Sequence, residues 1–191
     1  MMNAHADSTP DVEVDRADPV LLDAVALDRH RDELVAILAD AIESNASVGY
    51  ILPIDATTIA GYWQKVIEEV AAGERYVFGT FVDDRLVGSV QLVPCAKPNQ
   101  PHRADVQKLL VRSEWRGQGI GERLMIELEA LALAQGRWLL LLDTRTGSKA
   151  DALYTKWGWQ VVGRVPDFAL DPDGRLADCT FYWKRLSVVS Q

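Results

Sequence analysis

Apolar residues recur along this chain at two spacings, and each spacing predicts one type of secondary structure. Apolar positions three and four residues apart predict amphipathic helices. These helices cover residues 30–42, 54–72, 122–135 and 149–156. Runs rich in β-branched and aromatic residues predict strands. These strands cover residues 20–27, 76–82, 86–93, 103–111, 138–144, 159–165 and 179–186.

The order of these elements predicts a single layered domain over residues 19–191. Asp83 and Asp84 join two strands in a hairpin, so the middle strands are expected to be antiparallel. The helix over 122–135 returns the chain to a neighbouring strand, which predicts a parallel pair. The fold class is therefore α/β, or α+β layered, with a mixed, mostly antiparallel sheet flanked by helices. Residues 1–18 hold five acids against one base and are predicted to form a flexible tail.

Composition narrows the function classes. The 191 residues carry a formal net charge of -8, which disfavours general binding to nucleic acid or to an anionic membrane. No apolar run approaches the roughly 18 to 20 residues that span a bilayer, and no basic region precedes an apolar stretch at the start. A cytoplasmic location is therefore expected. Cys95 and Cys179 are too few for a disulfide framework, and the three histidines lack metal-ligand spacing, so we expect no metal site.

A glycine-rich turn over residues 117–121 is the most informative segment. It stands between a predicted strand and a predicted helix. Glycines allow backbone N–H groups to turn inward, and a helix N-terminus attracts negative charge, so the turn suits a pyrophosphate. Residues 103–123 hold five bases and three acids, whereas the rest of the chain holds 15 bases and 25 acids. This basic segment in an acidic protein is where an anionic cofactor is expected.

The glycines alone allow three other interpretations. A dinucleotide-binding fingerprint needs glycine at the sixth position from Gly117, where Glu122 stands, although Asp143 lies at about the right distance downstream. A nucleotide P-loop needs Gly-Lys-Ser or Gly-Lys-Thr, and neither occurs. The third interpretation is a turn that binds no ligand, and the glycines alone do not exclude it.

Two segments resemble one known family. Arg116-Gly-Gln-Gly-Ile-Gly121 matches the Q/R-x-x-G-x-G/A signature of the GCN5-related N-acetyltransferases, the GNAT superfamily, and Leu109-Leu-Val111 matches its L-x-V spacing. Ala152-Leu-Tyr-Thr-Lys-Trp-Gly-Trp159 is similar to the A-x-L-Y-x-x-x-G-F segment of that family. A narrower resemblance, to the tabtoxin resistance acetyltransferases within it, covers about residues 30–185. It is carried by Ala46-Ser-Val-Gly49, Gln91, Lys97-Pro-Asn99, Arg103-Ala-Asp-Val-Gln-Lys-Leu109, Leu142-Asp-Thr144 and Pro172-Asp-Gly-Arg175. The chain departs from the family at Gly147-Ser148, where many members have Asn, so a hydrogen bond to the pantetheine arm either comes from Ser148 or is missing.

The resemblance implies a GNAT fold and an acetyl-CoA-dependent enzyme that transfers the acetyl group directly in a ternary complex. It implies a cofactor site in which strand backbone pairs with the pantetheine arm and the glycine turn holds the pyrophosphate. The residues so assigned are Leu109, Leu110, Val111, Arg116, Gly117, Gln118, Gly119, Ile120, Gly121, Ser148 and Tyr154. Tyr154 is also the expected catalytic proton donor to the leaving thiolate; its alternative role is that of an ordinary core tyrosine.

Asp105 and Asp143 are the other candidate catalytic residues. Counting by twos from Asp105 puts Gln107, Leu109 and Val111 on its face of the strand. Asp143 follows an apolar run at the end of a predicted strand, where a carboxylate is costly unless it is paired, hydrated or functional. An alkyl ammonium with a pKa near 10.4 is only about 0.04% neutral at pH 7, so a carboxylate would help to remove its proton. A turn cap at Asp143 and a surface charge at Asp105 are the alternatives.

The expected reaction is acetylation of a small amine, with detoxification of an amino-acid-like toxin or antibiotic as one physiological role. The alternatives are a protein or peptide N-acetyltransferase and a CoA-binding sensor without turnover. A homodimer formed through the C-terminal strands is expected, with no nucleic acid or membrane partner.

Overall fold

The computed structural model describes residues 18–187, so the predicted tail lies outside the described residues except for Asp18. Seven strands, five α-helices and one 3-10 helix follow in chain order. They are β1 (Val20–Leu22), α1 (Ala24–Arg29), α2 (Arg31–Glu43), α3 (Ala56–Ala71), β2 (Tyr76–Val82), β3 (Arg85–Pro94), β4 (Arg103–Val111), the 3-10 helix (Ser113–Trp115), α4 (Ile120–Ala134), β5 (Leu139–Arg145), α5 (Lys149–Lys156), β6 (Gln160–Leu170) and β7 (Leu176–Arg185).

The strands form one sheet in the order β1-β2-β3-β4-β5-β7-β6. All neighbours are antiparallel except β4 and β5, which are parallel. The predicted mixed, mostly antiparallel sheet is therefore confirmed, including the hairpin at Asp83 and Asp84. The predicted strand over 20–27 is wrong in its second half, because Asp23 ends β1 and caps α1 by accepting a hydrogen bond from the Ala26 N–H.

Helices cover both faces of the sheet. One apolar cluster packs α4 and Tyr154 of α5 against β3, β4 and β5, with Leu124, Leu128 and Leu140 fully buried. A second cluster packs α1, α2 and α3 against the other face around Trp63. Within residues 18–187, no helix is long and apolar enough to cross a membrane.

A bulge in β4 changes which side chains share a face. Gln107 pairs with Gln91, and Leu110 pairs with Ser89. Between these pairs, two residues of β4 (Lys108 and Leu109) oppose one residue of β3 (Val90). Lys108, with a φ of 49°, is the irregular position. The predicted alignment of Asp105 with Leu109 and Val111 is therefore wrong, since both apolar residues pack with α4 on the opposite face. The period-two count fails because the bulge inserts one extra residue.

β4 and β5 separate soon after they meet. Their pairing covers three positions, from Arg103 with Leu139 to Asp105 with Leu141. Beyond these positions β4 continues beside β3, and β5 continues beside β7. The edges of Leu109, Leu110 and Val111 that face β5 therefore carry no strand partner. The sheet opens into a cleft along this line.

Candidate active site

The glycine turn sits at the open end of the cleft. Gly117 and Gly119 have φ values of 81° and 79°, in the left-handed region that favours glycine. Gly119 is the N-cap of α4, and no side chain caps this helix. A Cβ added at Gly117 or Gly119 would meet no atom within 4 Å, so space lies open in front of both residues. The uncapped N–H groups at the start of α4 thus fit the predicted phosphate site.

The basic side chains near the turn are used mostly for other contacts. Arg112 is buried and donates from Nε to the Leu86 carbonyl at 2.7 Å. Arg116 donates to the Val111 carbonyl at 3.0 Å and contacts Asp40 at 3.3 Å. Arg116 therefore braces the end of β4. Both guanidinium groups thus contact protein acceptors, and the backbone N–H groups are the donors that remain for the predicted phosphate site.

Ser148, the predicted contact to the pantetheine arm, caps α5. Its Oγ accepts a hydrogen bond from the Asp151 N–H at 3.1 Å. The hydroxyl proton stays available as a donor, because an N-cap uses only the oxygen lone pair. The pantetheine contact predicted for Ser148 is thus compatible with its capping role.

Tyr154 lies in α5 and is 7% exposed. Its ring is in contact with those of Trp157, Trp159 and Tyr182, at centroid distances of 5.7 to 5.9 Å. The hydroxyl makes no hydrogen bond to any described residue, yet it is not sealed from solvent. Burial, with a further contribution from the negative charge of Asp143, raises the pKa of Tyr154 well above its usual value. The phenol therefore stays protonated and is free to donate a hydrogen bond to a ligand.

Asp105 and Asp143 lie on the two strands that border the cleft. Asp105 is half-buried and accepts a hydrogen bond from Arg103 Nη1 at 3.2 Å. Burial raises the pKa of Asp105, Arg103 opposes that shift, and Asp143 adds to it. Asp143 is exposed within β5, opposite Phe181, and is not at the end of a strand as predicted. The negative charge of Asp143 therefore acts on both of the other predicted catalytic residues, Asp105 and Tyr154.

Sequence reasoning missed several residues of this site. Cys179 on β7 donates from Sγ to Asp143 Oδ2 at 3.3 Å, and burial followed by Asp143 raises the pKa of the thiol to about 12. No local pattern indicates that contact, because it depends on the pairing of β5 with β7. Arg103 did carry a signal, since residues two apart on a strand share a face and Arg103 stands two before Asp105.

Two connections enclose the side of the cleft near Lys108. The connector between α2 and α3, residues 44–55, accepts a hydrogen bond from Lys108 at the Val48 carbonyl. The turn between β6 and β7 contacts this connector, because the Leu52 N–H donates to the Pro172 carbonyl at 2.8 Å. Arg145 of β5 pairs with the buried Asp171 at 2.7 Å and holds the same turn. These contacts link the connector and the β6–β7 turn to β4 through Lys108 and to β5 through Arg145.

Known proteins are similar to this chain in sequence and in fold. The sequence profile of the acetyltransferase (GNAT) domain matches residues 73–161, which run from the start of β2 to the start of β6. An uncharacterized N-acetyltransferase in the hisH-hisA intergenic region of Azospirillum brasilense is 30% identical over 131 residues, 66% of this chain and 76% of the relative. The chain belongs to the GNAT acetyltransferase family. It is an N-acetyltransferase that uses acetyl-CoA, as the resemblance implied.

Two further comparisons extend this result. An L-methionine sulfoximine/L-methionine sulfone acetyltransferase of Pseudomonas aeruginosa is 24% identical over 158 residues, 78% of this acetyltransferase and 84% of the relative. The structure of yncA from Salmonella typhimurium with its cofactor acetyl-CoA superposes with a TM-score of 0.73 at 15% identity. That match covers 92% of this acetyltransferase and 96% of the solved chain, and it shows that the fold is shared.

Acetyl-CoA is expected to raise the melting temperature of this acetyltransferase, and Gly119→Val is expected to remove most of that rise. Binding to the folded state alone stabilises it, and a valine Cβ would project into the open space before the α4 N-terminus. Thermal denaturation with and without acetyl-CoA measures both effects.

Gly136→Val is the matched control for that variant. Gly136 also has a positive φ, 72°, and a Cβ there would also meet no atom within 4 Å, but it follows the far end of α4. Both variants should carry a similar backbone strain, of about 1 to 3 kcal/mol. Equal acetyl-CoA shifts in the two variants, or an equal shift from NAD in the unmodified protein, would contradict the assignment of the turn.

Proposed function

We propose that this acetyltransferase acetylates the primary amine of a small, amino-acid-like molecule by direct transfer in a ternary complex. The observation that carries the proposal is the arrangement around the gap between β4 and β5. Two carboxylates, Asp105 and Asp143, border that gap, and Tyr154 carries an unpartnered hydroxyl under the electrostatic influence of Asp143. This combination provides anions for an ammonium group and a proton donor for a leaving thiolate.

The two carboxylates take different parts in this proposal. An amine must lose a proton before it attacks, and a base with a raised pKa is better matched to that task at neutral pH. Asp105, whose pKa burial raises, is the proposed base. Asp143 is more exposed and attracts and orients the incoming ammonium group. Cys179 donates to Asp143 and holds its carboxylate in position.

The donor site is formed by the backbone of Leu109–Val111, which carries no partner on its β5 side, and by the N–H groups of residues 117–121. Bound acetyl-CoA supplies the acetyl group as an activated thioester. Tyr154 keeps its proton on Oη and presents it to that site. The raised pKa ensures that this proton is present throughout the neutral range.

The proposed substrate class rests on two likenesses. The P. aeruginosa relative is named for L-methionine sulfoximine and L-methionine sulfone, which are both amino acids. The narrower resemblance to tabtoxin resistance acetyltransferases points to the same class of molecule. A role in resistance to an amino-acid-like toxin or antibiotic is therefore part of the proposal.

A thiol-release assay with acetyl-CoA and a panel of amines tests the proposal. The panel contains free amino acids, polyamines and short peptides with a free N-terminus. Release with amino acids at the highest kcat/KM is expected. Release with peptides alone would replace the proposal with a protein or peptide N-acetyltransferase. Tight acetyl-CoA binding without release from any amine would replace it with a sensor.

A homodimer through the C-terminal strands is also proposed, and β6 supports it. Within residues 18–187, β6 is an edge strand paired only with β7, and none of its residues is buried. Val161, Val162, Val165 and Phe168 are all exposed on this strand. An unpaired apolar edge of this length is a template for a second chain, and a second copy would satisfy its free N–H and C=O groups.

Light scattering at micromolar concentration is expected to give the mass of a dimer, and Val162→Lys is expected to give that of a monomer. A charge on the edge strand disfavours pairing. Val25→Lys on α1 is the matched control, since Val25 is 67% exposed and Val162 is 64% exposed. A monomeric unmodified protein, or a Val162→Lys variant that still dimerises, would refute this interface.

A further inference from the structure

Lys108 is a partly buried cation without an acidic partner. Its Nζ donates one hydrogen bond, to the Val48 carbonyl at 2.7 Å, and no carboxylate of the described residues pairs with it. An ammonium group has three N–H donors, so two of them have no acceptor among residues 18–187. A buried charge is costly unless it is paired. The Nζ atom of Lys108 can therefore donate hydrogen bonds to an anionic ligand.

The surroundings of Lys108 are fixed by aromatic and polar contacts. The Nζ atom lies 5.9 Å from the ring centroid of Tyr50 and 5.5 Å from that of Tyr62. Tyr62 in turn donates to Gln91 Oε1 at 2.8 Å. Arg75, which also bonds Gln91, is paired with Glu69 at 2.6 Å and so has its own counter-ion. Of the two cations in this group, Arg75 and Lys108, Lys108 is the one without a counter-ion among the described residues.

The charge of Lys108 acts on the same cleft as the two carboxylates. Burial, together with the nearby Arg75, lowers the pKa of Lys108, whereas Asp143 opposes that shift. Asp143 thus influences Lys108 as well as Asp105 and Tyr154. The bulge in β4 makes this possible, because the irregular backbone at Lys108 lets its side chain reach the α2–α3 connector. The acceptor side of the cleft therefore has anionic and cationic parts.

We propose that Lys108 recognises an acidic group of the acceptor and so selects amines that also carry a carboxylate or a similar anionic oxygen. This inference rests on the proposed function and adds the specificity determinant to it. The ammonium of such a zwitterion is held by Asp143 and Asp105, while its acidic group takes the unused N–H donors of Lys108. An uncharged amide in place of the acid loses a charge-assisted hydrogen bond, which is worth about 1.5 to 3 kcal/mol, or about 10- to 150-fold.

The test compares free amino acids with their carboxamides. L-methionine sulfone, L-threonine and L-lysine are assayed with their amides by thiol release, with kcat/KM corrected for the fraction of free amine. For each amino acid that the unmodified enzyme acetylates, kcat/KM for the acid is expected to exceed kcat/KM for its amide by about 10- to 150-fold. Lys108→Met is expected to reduce that preference to about threefold or less, chiefly by lowering kcat/KM for the acid. Lys65→Met, on an exposed side chain of α3, is the matched control and should keep the preference.

Calorimetric titration of the acid into the enzyme with CoA gives a second readout, and Lys108→Met should weaken that binding. Activity on the amide and the melting shift with acetyl-CoA report whether the variant is folded. If Lys108→Met fails to fold, the comparison of acid with amide in the unmodified enzyme decides alone. Equal use of acid and amide, or a preference that survives Lys108→Met, would overturn the inference and leave the proposed function standing. No release from any amine would overturn both.

Discussion

Tyr154→Phe is expected to lower kcat by about 100- to 10,000-fold, the usual range for general acid–base catalysis. The substitution removes one hydroxyl and keeps the ring, so the packing against Trp157 and Trp159 is retained. The hydroxyl matters chiefly when charge develops on the leaving sulfur, and an interaction made only in the transition state affects kcat. The melting shift with acetyl-CoA should therefore stay close to that of the unmodified protein.

Tyr182→Phe is the matched control for this prediction. Tyr182 is also buried and contacts Tyr154, but its hydroxyl donates to Asp151 Oδ1 at 2.6 Å and so has a structural partner. Its removal should lower the melting temperature and leave kcat within a few-fold, as expected of a lost hydrogen bond of about 1 kcal/mol. Single-turnover kinetics measures the chemical step for both variants. A Tyr154→Phe variant with unchanged single-turnover rate would remove Tyr154 from catalysis.

Asp105→Asn is expected to lower kcat/KM for the amine by about 100-fold or more and to abolish the acid limb of its pH profile. In the unmodified enzyme, kcat/KM should fall as the pH falls through the raised pKa of Asp105, because protonation removes the base. Asp143→Asn should also lower kcat/KM. In this variant kcat/KM should still fall at acid pH, but the fall should occur at a lower pH than in the unmodified enzyme. The sign follows from charge: Asp143 raises the pKa of Asp105, so neutralising Asp143 lets that pKa fall.

The stability of Asp105→Asn separates catalysis from folding. A carboxyl whose pKa is raised in the folded state favours folding when protonated, and that contribution is lost as the pH rises through the raised pKa. Near pH 7 the ionised Asp105 therefore costs stability, and the neutral Asn variant should melt at or above the temperature of the unmodified protein. A pH profile with the same acid limb in both aspartate variants would return Asp105 and Asp143 to structural roles.

The sequence predicts the central part of this fold well because its signals are local. The helix over 149–156 and the hairpin at Asp83 and Asp84 agree with the structure, since caps, turn residues and apolar spacing act within a few positions. β6 ends at Leu170, whereas the sequence predicts a strand that ends at residue 165. The prediction is too short because β6 is an exposed edge strand, in which no alternation of apolar and polar residues marks a buried face. Such a strand is specified by its neighbour β7.

In the candidate site too, features with local sequence signals could be predicted and features that depend on tertiary contacts could not. The glycine turn and Tyr154 belong to short continuous segments and could be found from the sequence. The proposed roles of Lys108 and Cys179 could not be found in this way, because the first depends on a bulge at a residue with no turn signal and the second on a cross-strand contact. The sequence shows how many basic residues lie near the turn, but packing decides whether a guanidinium group faces a ligand or a carbonyl, as Arg112 and Arg116 illustrate.

The short pairing of β4 with β5 makes the sheet a pair of lobes joined along one seam. β1 to β4 form one lobe and β5 to β7 the other, and three residue pairs connect their edges before the strands diverge. Substitutions far from the cleft that alter the tilt of either lobe therefore change the width of the seam. In the proposed function, the donor occupies the position of a missing strand where β4 and β5 diverge, and binding it completes the hydrogen bonding of the sheet.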